Sequence, residues 1–286
     1  MQAKSKNLIY INIASLFMSF SGLFAKWISV ESYSIIFGRS VAALPVLLLI
    51  CILFKVIKPI QSKRHLILII FSGIFLTLHW TLFYKSIQIS SVSVGVIAIF
   101  SYPLITSILE PLLTQSVFKI RMILESIILL VSLYILSGHT INGESVYIGL
   151  ILGIIAAFSF ALRNIIIKEI VDEYSPIWLM MIQIGISIIL LAPFGIAPLM
   201  DAGAKNIGLI IIVGIMVISL SHTLFIQSMK TLSATAIGVI SSLQLIYAIV
   251  ASWLFLNETI SINIILGAFL ISSVAVYEQI KSYNEK

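Results

Sequence analysis

The chain has 286 residues, of which 60% are hydrophobic and 10% are charged, and its net charge is +6. Soluble domains have about 25% charged residues, and so apolar a chain could not cover a water-facing surface. The composition excludes a soluble fold and predicts an integral membrane protein whose surroundings are the lipid bilayer. The single cysteine, Cys51, lies in an apolar run and excludes a disulfide framework.

Ten apolar runs, bounded by charges, Pro or Gly, predict an all-α membrane protein with ten transmembrane helices. Because a spanning helix needs ~20 apolar residues, ten spans use roughly 200 residues and leave no room for a soluble catalytic domain. The first run resembles a signal peptide but lacks a small-residue cleavage site, so we expect it to be retained. The runs lie near residues 8–25, 33–54, 65–85, 92–115, 121–137, 147–167, 176–198, 206–227, 234–256 and 261–280.

The basic residues predict the orientation of these spans. If the N-terminus is inside, thirteen of the seventeen Lys and Arg residues lie on the inner side, three lie on the outer side, and Arg39 lies within the second span. The positive-inside rule then places both termini in the cytoplasm, and we expect a multi-pass protein of a bacterial inner membrane. This distribution accounts for the positive charge, so no nucleic-acid partner is expected.

A short pattern recurs 142 positions apart, at the ends of the third and eighth predicted spans. "TLFYKSIQISS" from Thr81 and "TLFIQSMKTLS" from Thr223 share five of eleven residues. We interpret residues 1–140 and 141–286 as two five-helix repeats, of which the second is inverted because each copy has an odd number of spans. Inverted repeats are typical of secondary transporters, which bind substrate between the halves. The alternative is that small and hydroxylated residues recur because they allow close helix packing.

Segments of both halves resemble EamA-type proteins of the drug/metabolite transporter superfamily. They are "TLFYKSIQISSVSVGVIAIFSYPLITSILEPLL" and the stretch after Thr223 that contains Leu256-Asn257-Glu258 and Gly267, and "FGRS" resembles a second-helix Arg of the family. The resemblance covers nearly the whole chain. It implies a ten-helix fold and the movement of small metabolites, often amino acids and commonly outward.

Ionisable residues within a span are energetically costly and are therefore candidate functional groups. Arg39 lies about six residues, or ~9 Å, from the outer end of the second span and is a candidate for binding a carboxylate. The alternatives are an Arg that extends to the outer headgroups, or a structural pair with Glu31 or Glu258.

Spans three, four, eight and nine present rings and uncharged polar groups at helical spacing, which is typical of a small-molecule site. The alternative for these groups is hydrogen bonding between helices. Together with the Arg of the second span, the predicted substrate-binding residues are Arg39, His79, Trp80, Tyr84, Tyr102, His222, Gln244 and Tyr247.

Glu110 in span four and Arg163 in span six are predicted to lie at similar depths near the inner side. We assign them to coupling or gating, because a carboxylate balanced between burial and a nearby Arg could exchange protons. A fixed Glu110–Arg163 pair that closes the inner side is the alternative.

The predicted function is secondary transport of a small-molecule substrate such as an amino acid, by alternating access and in the export direction. No cofactor is expected. There is no phosphate-binding loop to indicate an ATPase, and the four His are too dispersed for a metal site. We expect a monomer or homodimer that is not an enzyme. The alternative is an integral membrane enzyme acting on lipid-linked substrates, which would need clustered carboxylates or a metal motif.

Overall fold

The computed structural model describes residues 2–136, 143–256 and 261–284, and this part of the chain is folded almost entirely into helices. The helices are α1 (Gln2–Ser19), α2 (Ser21–Trp27), α3 (Ser32–Leu53), α4 (Lys63–Ile89), α5 (Val92–Ile99), α6 (Tyr102–Thr114), α7 (Ile120–Leu136), α8 (Glu144–Ile170), α9 (Pro176–Met200), α10 (Gly203–Val213), a π-helix (Gly214–His222), α11 (Thr223–Ser228), α12 (Ala234–Ser241), α13 (Leu243–Leu256) and α14 (Ile262–Asn284).

These helices form the ten predicted spans. Within the described residues, nine helical segments are long and apolar enough to cross a membrane, and α7, with 17 residues, is the tenth. Span one consists of α1 and α2, span four of α5 and α6, and span nine of α12 and α13. Span eight runs from α10 through the π-helix to α11. The all-α, ten-span prediction is confirmed.

The packing of the spans follows an approximate twofold symmetry between the two halves. Three contacts pair a span with its own counterpart, five spans later: α3 with α9, α7 with α14, and α6 with α12. Other contacts occur in symmetry-related pairs. Span three packs on span six, as α4 on α8, and their counterparts, span eight and span one, pack on each other in the same way. This is the arrangement expected of two inverted five-helix repeats.

The recurring serines show that the symmetry holds at the level of single hydrogen bonds. Ser86 donates its hydroxyl to the carbonyl of Gly149 at 2.6 Å, and Ser228 donates to the carbonyl of Asn7 at 3.0 Å. Both the donors and the acceptors are 142 positions apart. The alternative, that these serines recur only because small residues pack well, does not account for this register.

Spans four and nine are capped and broken at repeat-matched positions. Ser91 and Ser233 accept hydrogen bonds at the starts of α5 and α12, as N-cap residues do. These helices end at caps that are again 142 positions apart, at residues 100 and 242. Pro103, in the first turn of α6, favours the first break, whereas the second half breaks there with Leu245 in place of the proline.

Span eight contacts the backbone of α3 through a glycine at the start of the π-helix. A Cβ atom on Gly214 would lie only 2.5 Å from the carbonyl oxygen of Arg39. Because only glycine allows this approach, the sequence of span eight fixes the position of the α3 segment that carries Arg39.

The two ends of the bundle are marked by ion pairs. We call the face at which α1 begins and α14 ends the terminal face; Arg64 at the start of α4 pairs there with Glu169 near the end of α8. At the opposite face, Lys85 pairs with Glu31 at 3.1 Å. The predicted boundary between residues 140 and 141 falls in the stretch 137–142, and Asn257 and Glu258 fall in 257–260, so both lie outside the described residues.

Candidate functional site

A cavity of about 670 Å³ lies between the two halves and is lined by residues from spans one, two, three, four, six, eight and nine. Along α4 its lining extends from His79, near the middle of the bundle, to Gln88, and it continues to Ser91, the N-cap of α5, at the opposite face. The cavity therefore reaches the centre of the protein from the opposite face, and its size suits a small molecule.

The structure brings seven of the eight predicted substrate-binding residues to this cavity. Tyr247 is not among the residues that line it. The predicted residues that do line it are Arg39, His79, Trp80, Tyr84, Tyr102, His222 and Gln244. Their roles in binding stay predictions.

Arg39 lies in the wall of the cavity with 1% of its surface exposed. Its Nη1 donates to the hydroxyl of Tyr84 at 3.1 Å, and its Cζ lies 4.4 Å from the centroid of the Trp80 ring and 5.0 Å from that of Tyr84. Rings at these distances stabilise a cation. The other two nitrogens, Nε and Nη2, have no hydrogen-bond partner in the described part of the chain.

Two of the three predicted structural alternatives for Arg39 do not fit this geometry. A guanidinium that extended to the headgroups would not be buried at 1% exposure. Glu31, one proposed partner, is paired with Lys85, and Glu258, the other, lies outside the described residues.

The two histidines meet the cavity through ring contacts. His79 stacks on Phe160 at 4.2 Å, and its Nδ1 lies 3.2 Å from the carbonyl oxygen of Ala156. Because a carbonyl only accepts, this nitrogen carries a proton, and Nε2 of the neutral ring is then an acceptor. The ring of His222 meets Trp80 edge-on at 5.0 Å. Positions 80 and 222 are repeat-matched, so this contact lies on the symmetry axis.

A layer of aromatic rings closes the cavity towards the terminal face. Phe160 packs between Tyr102 at 4.9 Å and Phe225 at 5.6 Å. The Tyr102 hydroxyl bonds to the Ser241 hydroxyl and donates to the Gly238 carbonyl, which ties α6 to α12. Sequence reasoning missed Phe160, since one more phenylalanine in an apolar helix carries no signal of its own.

Glu110 and Arg163 do not form the predicted pair. Glu110 accepts from the N–H of Ala234 at 2.9 Å, and from the N–H and the hydroxyl of Thr235 at 3.0 and 2.6 Å. These groups are the first turn of α12, where free N–H groups and the helix dipole favour a carboxylate. The Glu110 side chain also lines a second cavity, which lies at the terminal face.

Arg163 is held by amides instead of a carboxylate. Its Nε and Nη2 donate to Gln183 Oε1 at 3.1 and 2.8 Å, and its Nη1 donates to Asn164 Oδ1 at 3.0 Å. The predicted alternative of a fixed Glu110–Arg163 pair is therefore wrong, because Glu110 is satisfied by groups of α12, and Arg163 by Gln183 of α9 and by its own neighbour Asn164. Arg163 is not among the described residues that line the central cavity.

A cluster of three charged side chains, which the sequence did not predict, joins α7 to α14. Arg121 bonds to Glu125 at 2.6 Å, one turn along α7, and also to Glu278 of α14. The spacing of Arg121 and Glu125 could have suggested the first contact, but the second depends on how the two halves pack.

A helical membrane protein with two inverted repeats around a central cavity has the architecture of a transporter. Residues 5–138 and 147–276 each match the EamA-like transporter family. The chain therefore belongs to this family, which confirms the resemblance found in the sequence.

Similar proteins carry the same general description. An uncharacterized transporter, YxxF, of Bacillus subtilis (strain 168) is 25% identical over 95% of this chain and 90% of its own length. An uncharacterized transporter of Archaeoglobus fulgidus is 24% identical over 66% of each chain. A protein of known crystal structure shares the fold, with a TM-score of 0.78 over 98% of both chains and 11% identity.

Proposed function

We propose that this transporter is a secondary exporter of small metabolites such as amino acids, and that it works by alternating access. The observation that carries the proposal is the central cavity, which reaches the middle of the bundle from the opposite face while rings close it on the terminal side. Rocking of two inverted repeats would open such a cavity to each face in turn.

We further propose that the terminal face is cytoplasmic, in a bacterial inner membrane. The asymmetric distribution of Lys and Arg supports this orientation. In that orientation the structure corresponds to the state that releases an exported substrate.

In this proposal Glu110 belongs to the gate of the terminal face. It lies on α6 in the first half, whereas its three donors belong to α12 in the second half. A motion that separates the halves at the terminal face would break these hydrogen bonds. Arg163 would support the gate from α8.

The proposal is tested by counterflow in proteoliposomes without ATP. Vesicles loaded with a mixture of unlabelled amino acids are diluted into traces of each labelled one, and we expect protein-dependent accumulation of at least one. Ala248 lines the cavity, so Ala248→Trp should block accumulation by filling the cavity. Tyr247→Phe, at the neighbouring position outside the lining, serves as the matched control. Accumulation that Ala248→Trp leaves intact would contradict transport through this cavity.

A further inference from the structure

The charge of Arg39 lacks a counterion within the part of the chain that the structure describes. No Asp or Glu is among the residues that line the central cavity, and no ion pair within the described ranges includes Arg39. The ring contacts with Trp80 and Tyr84 compensate only part of the lost hydration. Burying a guanidinium without a carboxylate partner destabilises the protein. Such an unpaired charge is expected at a site where a bound ligand provides the negative charge.

The free donors of Arg39 have the geometry that a carboxylate needs. Nη1 is occupied by the Tyr84 hydroxyl, whereas Nε and Nη2 are unpartnered. These two nitrogens form one edge of the planar guanidinium and point their N–H bonds in parallel, so a carboxylate can accept both. The rings of Trp80 and Tyr84 hold the plane in place.

The rest of the cavity limits what can be attached to that carboxylate. Arg39 is the only Lys or Arg among the described side chains that line the cavity, so one negative charge is compensated there and a polyanion is not. A free ammonium group would find rings, carbonyl oxygens and Gln244 but no carboxylate. The large apolar rings of Phe83, Phe100 and Phe160 favour a flat apolar body.

We infer that the preferred cargo is a net-anionic organic monocarboxylate with a flat apolar body, bound through Arg39 Nε and Nη2, and that a zwitterion of the same shape binds less tightly. The inference rests on the proposed function and narrows its substrate class: an aromatic amino acid whose amine is acylated fits, and the free amino acid fits less well.

The test compares three probes of nearly the same shape by calorimetric titration of the purified protein in nanodiscs: 3-phenylpropanoate, 3-phenylpropanamide and phenylalanine. We expect the propanoate to bind at least 10-fold more tightly than the amide or the zwitterion. In Arg39→Gln the advantage of the propanoate over the amide should disappear. Arg39→Lys keeps the charge but loses the paired donors, so in this variant the affinity advantage of the propanoate over the amide should be intermediate.

Lys85→Gln is the matched control, because it removes one positive charge at the opposite face, where Lys85 pairs with Glu31, and should leave the ranking unchanged. The ranking in the unsubstituted protein tests the inference even if Arg39→Gln does not fold. Equal affinities for anion and zwitterion, failure of all three probes to bind at millimolar concentration, or an unchanged preference in folded Arg39→Gln would overturn it. The proposed function fails separately, if the probes bind but counterflow of no solute is observed.

Discussion

Replacing Glu110 by Gln should open the terminal face. The carboxylate accepts three hydrogen bonds from Ala234 and Thr235, at 2.6 to 3.0 Å. The amide offers a single acceptor oxygen, and its NH₂ group would face donors of α12. Hydrogen bonds to a charged group contribute roughly 1.5–3 kcal/mol each, so loss of the charge and of one acceptor costs about 3 kcal/mol. At 1.4 kcal/mol per tenfold change, this shifts the equilibrium between closed and open gates by about 100-fold.

The shift can be measured by pulsed electron–electron resonance between spin labels on either side of the gate. Leu113, exposed near the end of α6, and Lys230, just before α12, are suitable positions in a Cys51→Ala background. We expect Glu110→Gln to add a population at longer distance. The control is Glu173→Gln, since Glu173 is exposed and its pair with Lys58, at 3.9 Å, contributes little. Identical distance distributions in the two variants would refute the assignment of Glu110 to the gate.

Two further substitutions test the site and its frame. His222→Ala should weaken cargo binding by about 10-fold because it removes the ring that packs on Trp80. The control is His65→Ala, which lies outside the cavity lining and should leave the affinity unchanged. Equal affinities of the two variants for the cargo would exclude His222 from the site. Gly214→Ala should lower the free energy of unfolding by about 1–3 kcal/mol, since its Cβ would meet the Arg39 carbonyl at 2.5 Å. Gly208→Ala, which has open space, is the control in the same thermal unfolding assay, and equal melting temperatures would contradict the close approach.

Hydropathy was sufficient to predict the ten spans, because the bilayer requires an apolar run of a certain length. The repeat of 142 positions also predicted which helices are counterparts, since a duplicated sequence keeps its contacts: the bond of Ser86 to Gly149 recurs as that of Ser228 to Asn7. Rings and polar groups at helical spacing predicted most of the cavity lining, because one helical stripe faces one space.

The partners of the buried charges could not be predicted in this way. Depth along a helix was the basis for pairing Glu110 with Arg163, but depth leaves the rotation and lateral position of each span undetermined. The carboxylate is instead satisfied by backbone N–H groups of α12, and every helix start offers such donors. For Arg163, the amides of Asn164 and Gln183 have the same hydrogen-bonding capacity as many other polar side chains in the spans.

The departures from symmetry carry a mechanical consequence. If the two inverted repeats were identical in sequence, the state open to one face and the state open to the other would be related by the twofold axis and would have equal free energy. The serine bonds that hold the spans together obey the symmetry, but the buried charges do not: Met181, Ser252 and Ser21 occupy the positions that match Arg39, Glu110 and Arg163. A serine at residue 252 cannot supply the carboxylate that Glu110 supplies at the terminal face. The preference for one open state should therefore come from these few unmatched charges, and substituting them should change it while the matched packing, and with it the fold, stays the same.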